Sequence, residues 1–379
     1  YTYHAETDKF SLRPKINWSP KRRGVRKAAD CKTYEEILQH VDIYGLTKRT
    51  VASVLMGTVH DPLGVFLPYV NNLKYIYRDI CRENTEWDQQ ISEKMKIKVV
   101  AALNHFVGIE KISFERKAIF TEAKRLTFKF YFDGSLQGIG VSVVCLSELP
   151  NGEKIYRLLC NKSKILGSDV TTAPRSELCA CLISTRLYIL VAEQLRDFLK
   201  AFKGEVKFQV LGDSLIVLNQ IKRNSYNFAT FAASRIQEIR ENTKDFEISW
   251  LHVASQNNVS DILTRPHDFP PQELPWAKYS MEISEEQLQT SEIPIQNLPD
   301  SDRKNILALA QVTTPLDVPD LPIIMLYAEL RKKACAEKKE HRPNELIQGI
   351  LACKSNYFIS RNVISKVLQY HPEHKGKSL

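Results

Sequence analysis

The chain has 379 residues, 43% of them hydrophobic, which is enough for two or three domains with cores of their own. A formal net charge of +9 leans towards a polyanionic partner without requiring one. Its 8 cysteines are scattered with no Cys-x-x-Cys pair, which excludes a zinc knuckle and a disulfide framework and predicts reduced thiols in an intracellular protein. No run approaches about 18 uninterrupted apolar residues, and the opening YTYHAETDKF has no signal-peptide pattern, so neither a membrane partner nor export is expected. The chain starts at Tyr1 rather than Met, which fits a fragment of something longer.

Residues 1–45 are short and basic. FSLRPKINWSP predicts one strand closed by Pro20, and KRRGVRK after it is either a phosphate-contacting loop or, more simply, a solvated run. Residues 46–120 turn helical. LTKRTVASVLMGTVHDPLG sets Val51, Val54, Leu55 and Val59 on one face, with Thr47 as N-cap and a stop at Pro62. A second helix should run from about Tyr69 through Ile80. A third should run from about Ser92 to Phe106, with Met95, Ile97, Val100, Leu103 and Phe106 as its apolar positions. These are ordinary core faces, and their periodicity carries no chemistry.

Residues 121–268 change character. TFKFYFDGSLQGIGVSVVC, from Thr127 to Cys145, reads as two strands about an Asp-Gly-Ser turn. KIYRLLCNKSKIL is a third strand. APRSELCACLISTRLYILVAEQL is a long helix with Pro174 near its N1 position. VKFQVLGD is a strand and SLIVLNQI a helix with Ser214 as N-cap. Another helix spans roughly Thr230 to Thr243, and the strand FEISWLHV precedes the short terminal helix of NNVSDILTRP. The order is β-β-β-α-β-α-α-β-α. Residues 269–322 are rich in Pro, Glu, Gln and Ser and read as an extended linker with one short helix at Ser301 to Gln311. Residues 323–379 read as a helical, basic tail.

The chemistry lies in four acids. Asp133 and Asp213 each end a strand built to be buried, Glu177 opens the long helix beside an apolar face, and Asp261 stands just inside the last short helix. Taken singly, each has an ordinary structural reading as a turn former or a helix-terminus acid. Taken together they differ. In a sheet whose first strand is central, acids leaving the carboxyl ends of neighbouring strands converge on one edge. Like charges so gathered repel, and cations relieve the repulsion. Oxygen ligands without His or Cys select Mg²⁺ or Mn²⁺ over zinc. Two such ions about 3.5–4 Å apart suit hydrolysis of a phosphodiester.

FYFDGS with GIGVSVV, TTAPRSELCACLISTRL, VLGDSLIVLNQI and WLHVASQNNVSDILTRP, in this order, resemble the ribonuclease H domain of LTR retrotransposon polyproteins of the BEL/Pao group. LTKRTVASVLMGTVHDPLGVFLPYV and WDQQISEKMKIKVVAALNHF resemble the segment between the reverse transcriptase palm and ribonuclease H in that group. The resemblance implies an α/β ribonuclease H-like domain at 121–268 with a mixed five-stranded sheet. It is preceded by a helical thumb- or connection-like subdomain at 46–120, with 1–45 as the end of a reverse transcriptase-like region. It further implies that Asp133, Glu177, Asp213 and Asp261 bind two Mg²⁺ ions, Asp133 bridging them, Glu177 and Asp213 completing one site and Asp261 the other. The expected activity is endonucleolytic cleavage of RNA in an RNA–DNA hybrid. Lys162, Lys164 and Arg175 are candidates for backbone contacts, although plain surface charge explains any one of them. The expected partners are the hybrid and the rest of the polyprotein, namely reverse transcriptase and integrase. The expected setting is a cytoplasmic virus-like particle or the nucleus.

Three departures qualify this. Many ribonuclease H enzymes carry a mobile-loop His that helps product release, whereas the nearest candidate here, His252, reads as part of a strand. No Tyr-x-Asp-Asp turn is present, so a polymerase active site is not expected. The tail lacks the His-His-Cys-Cys motif and acidic core of an integrase. The rival reading is a non-catalytic nucleic-acid-binding remnant. A 3′–5′ exonuclease is disfavoured because Ser135 stands where that family carries its second acid.

Overall fold

The computed structural model describes residues 1–14, 16–17, 28–29, 33–57, 60–83, 86–166, 172–223, 228–244, 247–266 and 289–290. The KRRGVRK run, the expected helix at Ser301 to Gln311, the basic tail and all of the linker but 289–290 lie outside them. The chain divides into two compact units, Tyr1–Leu218 with Asn242–Ile293, and Asn219–Glu241 with Pro294–Leu379.

The first unit opens with β1 (Thr2–His4), β2 (Lys9–Ser11), β3 (Ile16–Asn17) and β4 (Ala28–Ala29). The single strand expected from FSLRPKINWSP is therefore two short ones, since proline at Pro14 fixes φ and lacks the N–H a ladder needs. Helix α1 (Tyr34–Tyr44) was not anticipated; its N-cap Thr33 accepts a hydrogen bond from the Glu36 N–H at 3.2 Å. Then come α2 (Lys48–Gly57), α3 (Leu67–Glu83), α4 (Glu93–Ile109) and the short strand β5 (Ser113–Glu115), which pairs with β2. Thr47 caps α2 through the Thr50 N–H at 3.2 Å, and Ser92 caps α4 through the Met95 N–H at 3.3 Å. Val51, Val54, Met95, Val100, Leu103 and Phe106 are buried as their periodicity implies, whereas Ile97 is 68% exposed. Ile97 lies on α4 between the exposed Lys94 and Lys98, off the buried stripe.

The mixed sheet follows: β6 (Arg125–Gly134), β7 (Gly138–Glu148), β8 (Lys154–Ile165), β9 (Glu205–Gly212) and β10 (Ile248–His252). Helices α5 (Ala173–Gln194) and α6 (Arg196–Ala201) lie between β8 and β9, and α7 (Leu215–Lys222) and α8 (Thr230–Thr243) between β9 and β10. The strand order is β10-β9-β6-β7-β8, with a two-residue strand β11 (Gln289–Thr290) added antiparallel at the β10 edge. β6 is central, parallel to β9 and antiparallel to β7, and β9 is parallel to β10. This mixed sheet, packed on α5 after three meandering strands, is the five-stranded α/β arrangement that the resemblance implied.

The faces of β6 diverge because successive side chains point to opposite sides. Phe128 and Phe130 face α5: Phe128 stacks on Phe208, and Tyr188 of α5 packs edge-on against both Phe130 and Phe208. Tyr131 faces the other way, into a continuous core with Val144, Leu211, Val259 and Leu263 that also includes Val54, Leu73 and Phe106 of the helical segment. Among the described residues no helix is long and apolar enough to cross a membrane. Among the described residues, Cys81, Cys145, Cys160, Cys179 and Cys181 form no disulfide.

Candidate metal-binding site

Register brings the first two acids together. β6 and β9 run parallel with Phe132 opposite Gly212, so Asp133 and Asp213, one step further on, leave the same end of adjacent strands. The third arrives by close approach of a helix. A Cβ at Gly134 would lie 2.4 Å from the backbone nitrogen of Glu177, so glycine alone lets the end of β6 touch α5. The Gly134 N–H donates to the Glu177 carboxylate. Glu177 is the fifth residue of α5, beyond the first turn where it was expected, so the helix dipole is a weaker reason for its presence.

One carboxylate oxygen from each of Asp133, Glu177 and Asp213 lies within 4.8 Å of the others. Asp133 is only 3% exposed. Its burial above all, with Asp213 and Asp261 nearby, pushes its carboxyl up to about 6, against the opposing pull of a Thr264 hydrogen bond and Arg265. Burial, then Asp133 and Asp213, hold Glu177 well above the usual carboxylate range. Its Oε2 is shut off from water with no hydrogen-bond partner. A buried unsatisfied oxygen is costly, and a cation among three carboxylates removes that cost. An all-oxygen donor set without His or Cys fits Mg²⁺ or Mn²⁺.

The surrounding polar groups were not anticipated. Thr264 donates to Asp133 Oδ2, and Ser135 Oγ donates to the Thr264 carbonyl at 2.6 Å. Ser255 Oγ donates to Asp213 Oδ2 at 2.6 Å. The Asn258 amide donates to the Phe132 carbonyl at 2.9 Å and to Asp213 Oδ1 at 3.3 Å, and accepts the Ser260 N–H at 3.2 Å. Asn258 thereby ties the end of β6, the acid after β9 and the next turn to one another. Its position before a short apolar helix is an N-cap signature, which was the available signal.

Asp261 sits on a 3-10 helix, Val259–Leu263, outside the three-carboxylate cluster. Its Oδ1 accepts a hydrogen bond from the guanidinium of Arg265, with side chains 25% and 53% exposed respectively. Its charge still helps to raise Asp133. His252 is the last residue of β10; burial lowers its pKa, and the ring donates to the Asp213 carbonyl. Lys162 and Lys164 are exposed on the edge strand β8. Through Val141 and Ile139 they are in register with Phe132 and Gly134, on the α5 side of the sheet. Arg175, half-buried, is the third residue of α5.

Residues 47–204 match the family described as the Pao retrotransposon-like RNaseH-like domain. Among solved structures, RNase H1 of the archaeon Halobacterium salinarum is similar at 19% identity, over 37% of this chain and 93% of its own, with a TM-score of 0.23. The N-terminal RNase H domain from Mycobacterium tuberculosis is similar at 15% identity, over 38% and 91%, with a TM-score of 0.26. The protease-reverse transcriptase of prototype foamy virus aligns at 12% identity over 63% of this chain and 35% of its own, with a TM-score of 0.23. No curated protein matches the chain.

Proposed function

We propose, from the match of residues 47–204 to the Pao retrotransposon-like RNaseH-like domain family, that this chain is the ribonuclease H portion of a retrotransposon polyprotein, acting on the RNA strand of RNA–DNA hybrids. The observation that carries the proposal is the convergence of Asp133, Glu177 and Asp213 around the unpartnered Oε2 of Glu177. Asp133, Glu177 and Asp213 would hold one Mg²⁺, and Asp133 with Asp261 a second, with Mn²⁺ as a substitute. When bound, such ions supply charge neutralisation and Lewis acidity at a phosphodiester.

The chain's own residues prepare that site. Thr264 fixes one oxygen of Asp133, while Ser255 and Asn258 fix both oxygens of Asp213. The acids are thus oriented before any ligand arrives, which lowers the cost of assembling the site. Arg265 holds Asp261 in an ion pair that must loosen for the fourth acid to join. Lys162, Lys164 and Arg175 would follow the sugar-phosphate backbone, and contacts across the wide minor groove would sense the 2′-hydroxyl. Reverse transcriptase and integrase would be the companions in the polyprotein, in a cytoplasmic particle or the nucleus.

The test is cleavage of an RNA–DNA hybrid with Mg²⁺ and with EDTA, beside a DNA duplex of the same sequence. Metal-dependent cutting confined to the hybrid is expected. Equal cutting of both duplexes would leave a generic metal nuclease. Binding without cutting would leave a non-catalytic nucleic-acid-binding remnant.

A further inference from the structure

The acid cluster is flanked on both sides by short, irregular chain. After Asp133 comes the turn between β6 and β7, and above it lies the 3-10 helix that carries Asp261 and leads into Thr264. Neither segment has a full backbone ladder. Short 3-10 helices have poor hydrogen-bond geometry, and the last carbonyls of any helix lack internal partners. Both segments are met by one face of α3.

On that face Asn71, Tyr75 and Arg78 recur at i, i+4 and i+7. The Asn71 amide donates to the Leu263 carbonyl at 3.0 Å, and the Tyr75 hydroxyl points to the same oxygen at 3.4 Å. Arg78 donates from Nη1 to the Gln137 carbonyl at 3.2 Å, and its guanidinium lies 5.2 Å over the Tyr75 ring. Ser163 of β8 donates to Asn71 Oδ1 at 2.9 Å, which fixes the orientation of the amide. Asn71 and Tyr75 are 1% and 3% exposed. Burying such groups is unfavourable unless their hydrogen bonds are made. The fit is close from the other side too, since a Cβ at Gly138 would lie 2.4 Å from the Tyr75 hydroxyl. The matched family segment, 47–204, runs through α3 and β6 without a break.

We propose that Asn71, Tyr75 and Arg78 are positioning residues, and that α3 braces the Ser135–Gly138 turn and the 3-10 helix so that Thr264 and Asp261 stand in place around Asp133. The consequence for metal binding rests on the reading of the acid cluster given above. The brace itself does not. Removing it would loosen the two flanking segments while leaving the ladder of β6 and β9 intact.

The experiment uses the full chain with Asn71→Ala, Tyr75→Phe and Arg78→Gln. Val99→Ala, a fully buried position in α4 that makes none of these contacts, controls for general loss of stability. Amide exchange of the metal-free protein is compared over 135–138, 259–264 and the reference strand 205–212. Each lost hydrogen bond should speed exchange in the segment it touches about tenfold relative to the reference strand, and Val99→Ala should not. Mn²⁺ binding followed by electron paramagnetic resonance should weaken about tenfold or more in Asn71→Ala, as outer-shell substitutions do at metal sites. Tyr75→Phe and Arg78→Gln keep the test decisive should Asn71→Ala fail to fold. Unchanged exchange in every folded variant overturns the brace. Failure of the unsubstituted chain to bind Mn²⁺ overturns the metal reading instead, and the exchange data then still decide the brace.

Discussion

Asp133 and Asp261 belong to one expected set of acids but stand in opposite circumstances. Asp133 lies near the end of a ten-residue central strand, paired on both sides, and is 3% exposed. Asp261 lies on a five-residue 3-10 helix, and its half-exposed partner Arg265 occupies one of its oxygens. The strand-borne acid is placed by the backbone, buried beside two other carboxylates with Thr264 on one of its oxygens. The turn-borne acid is already satisfied and must be released. The difference teaches that two steps of unequal rigidity separate this sequence from a complete four-acid site.

The sharpest way to break the comparison is to neutralise one acid of each kind. Asp213→Asn, at a strand end, should lower Mg²⁺-dependent hybrid cleavage by about 10³-fold, or about 4 kcal/mol. Asp133→Asn should do the same. Asp261→Asn should cost less, about 10²-fold. Single-turnover rates at saturating Mg²⁺ measure both, and an equal loss in the two would erase the distinction drawn between them.

The next effect is on stability. The Asp133 carboxyl stands at about 6 in the folded chain against an ordinary 3.8. A raised folded value means that its contribution is fully present below the ordinary value and is lost as pH rises through about 6. Metal-free protein should therefore lose up to ~3 kcal/mol between about pH 4 and pH 6.5 from this group, with Glu177 acting in the same direction. Urea denaturation in EDTA across that range measures it. Asp133→Asn should flatten the slope, and added Mg²⁺ should oppose it. A wild-type slope unchanged by Asp133→Asn would show that the strand-borne acid is not held in the way described.

The smallest effect sharpens the other side. Arg265→Gln removes a partner from a partly exposed pair, so stability should change by less than about 1 kcal/mol. Without the Arg265 charge beside Asp261, Mn²⁺ binding should tighten a few-fold, which calorimetry can read. Weaker binding would show that Arg265 helps to hold the fourth acid in place.

Much of this was legible in the chain because backbone periodicity carries it. A β-prone run ending in Asp133, its echo at Asp213, and Pro174 opening a long helix just ahead of Glu177 are local patterns. The sheet converts them into one site by register. The fourth acid was legible as a residue but not as a geometry, because the reach of a 3-10 turn depends on tertiary contacts. Helix α1 was missed although Thr33 and Glu36 form a capping-box spacing before it. Asn71, Ser163 and Thr264 could not be found at all. A polar residue within a helix or strand, or just past a helix end as Thr264 is, usually faces solvent, and only the packed structure shows which partners these three find. Ile97 failed the other way, since apolar type alone does not decide which face of α4 is covered.

Gly134 sets a mechanical tolerance on everything at this edge of the sheet. The nearest approach of a Cβ there would be 2.4 Å, where ordinary contact begins at 3.4 Å, so a methyl group would demand 3.4 − 2.4, or about 1 Å, of retreat by α5. Misplacement by 1 Å is enough to cost about two orders of magnitude in a rate that depends on alignment. Strand and helix could both survive that retreat, because each is held by its own hydrogen bonds and by the Phe128, Phe130 and Tyr188 packing further along. The spacing between Asp133 and Glu177 would not survive it. The width of the gap that the two acids share is thus gauged by the side chain that residue 134 lacks.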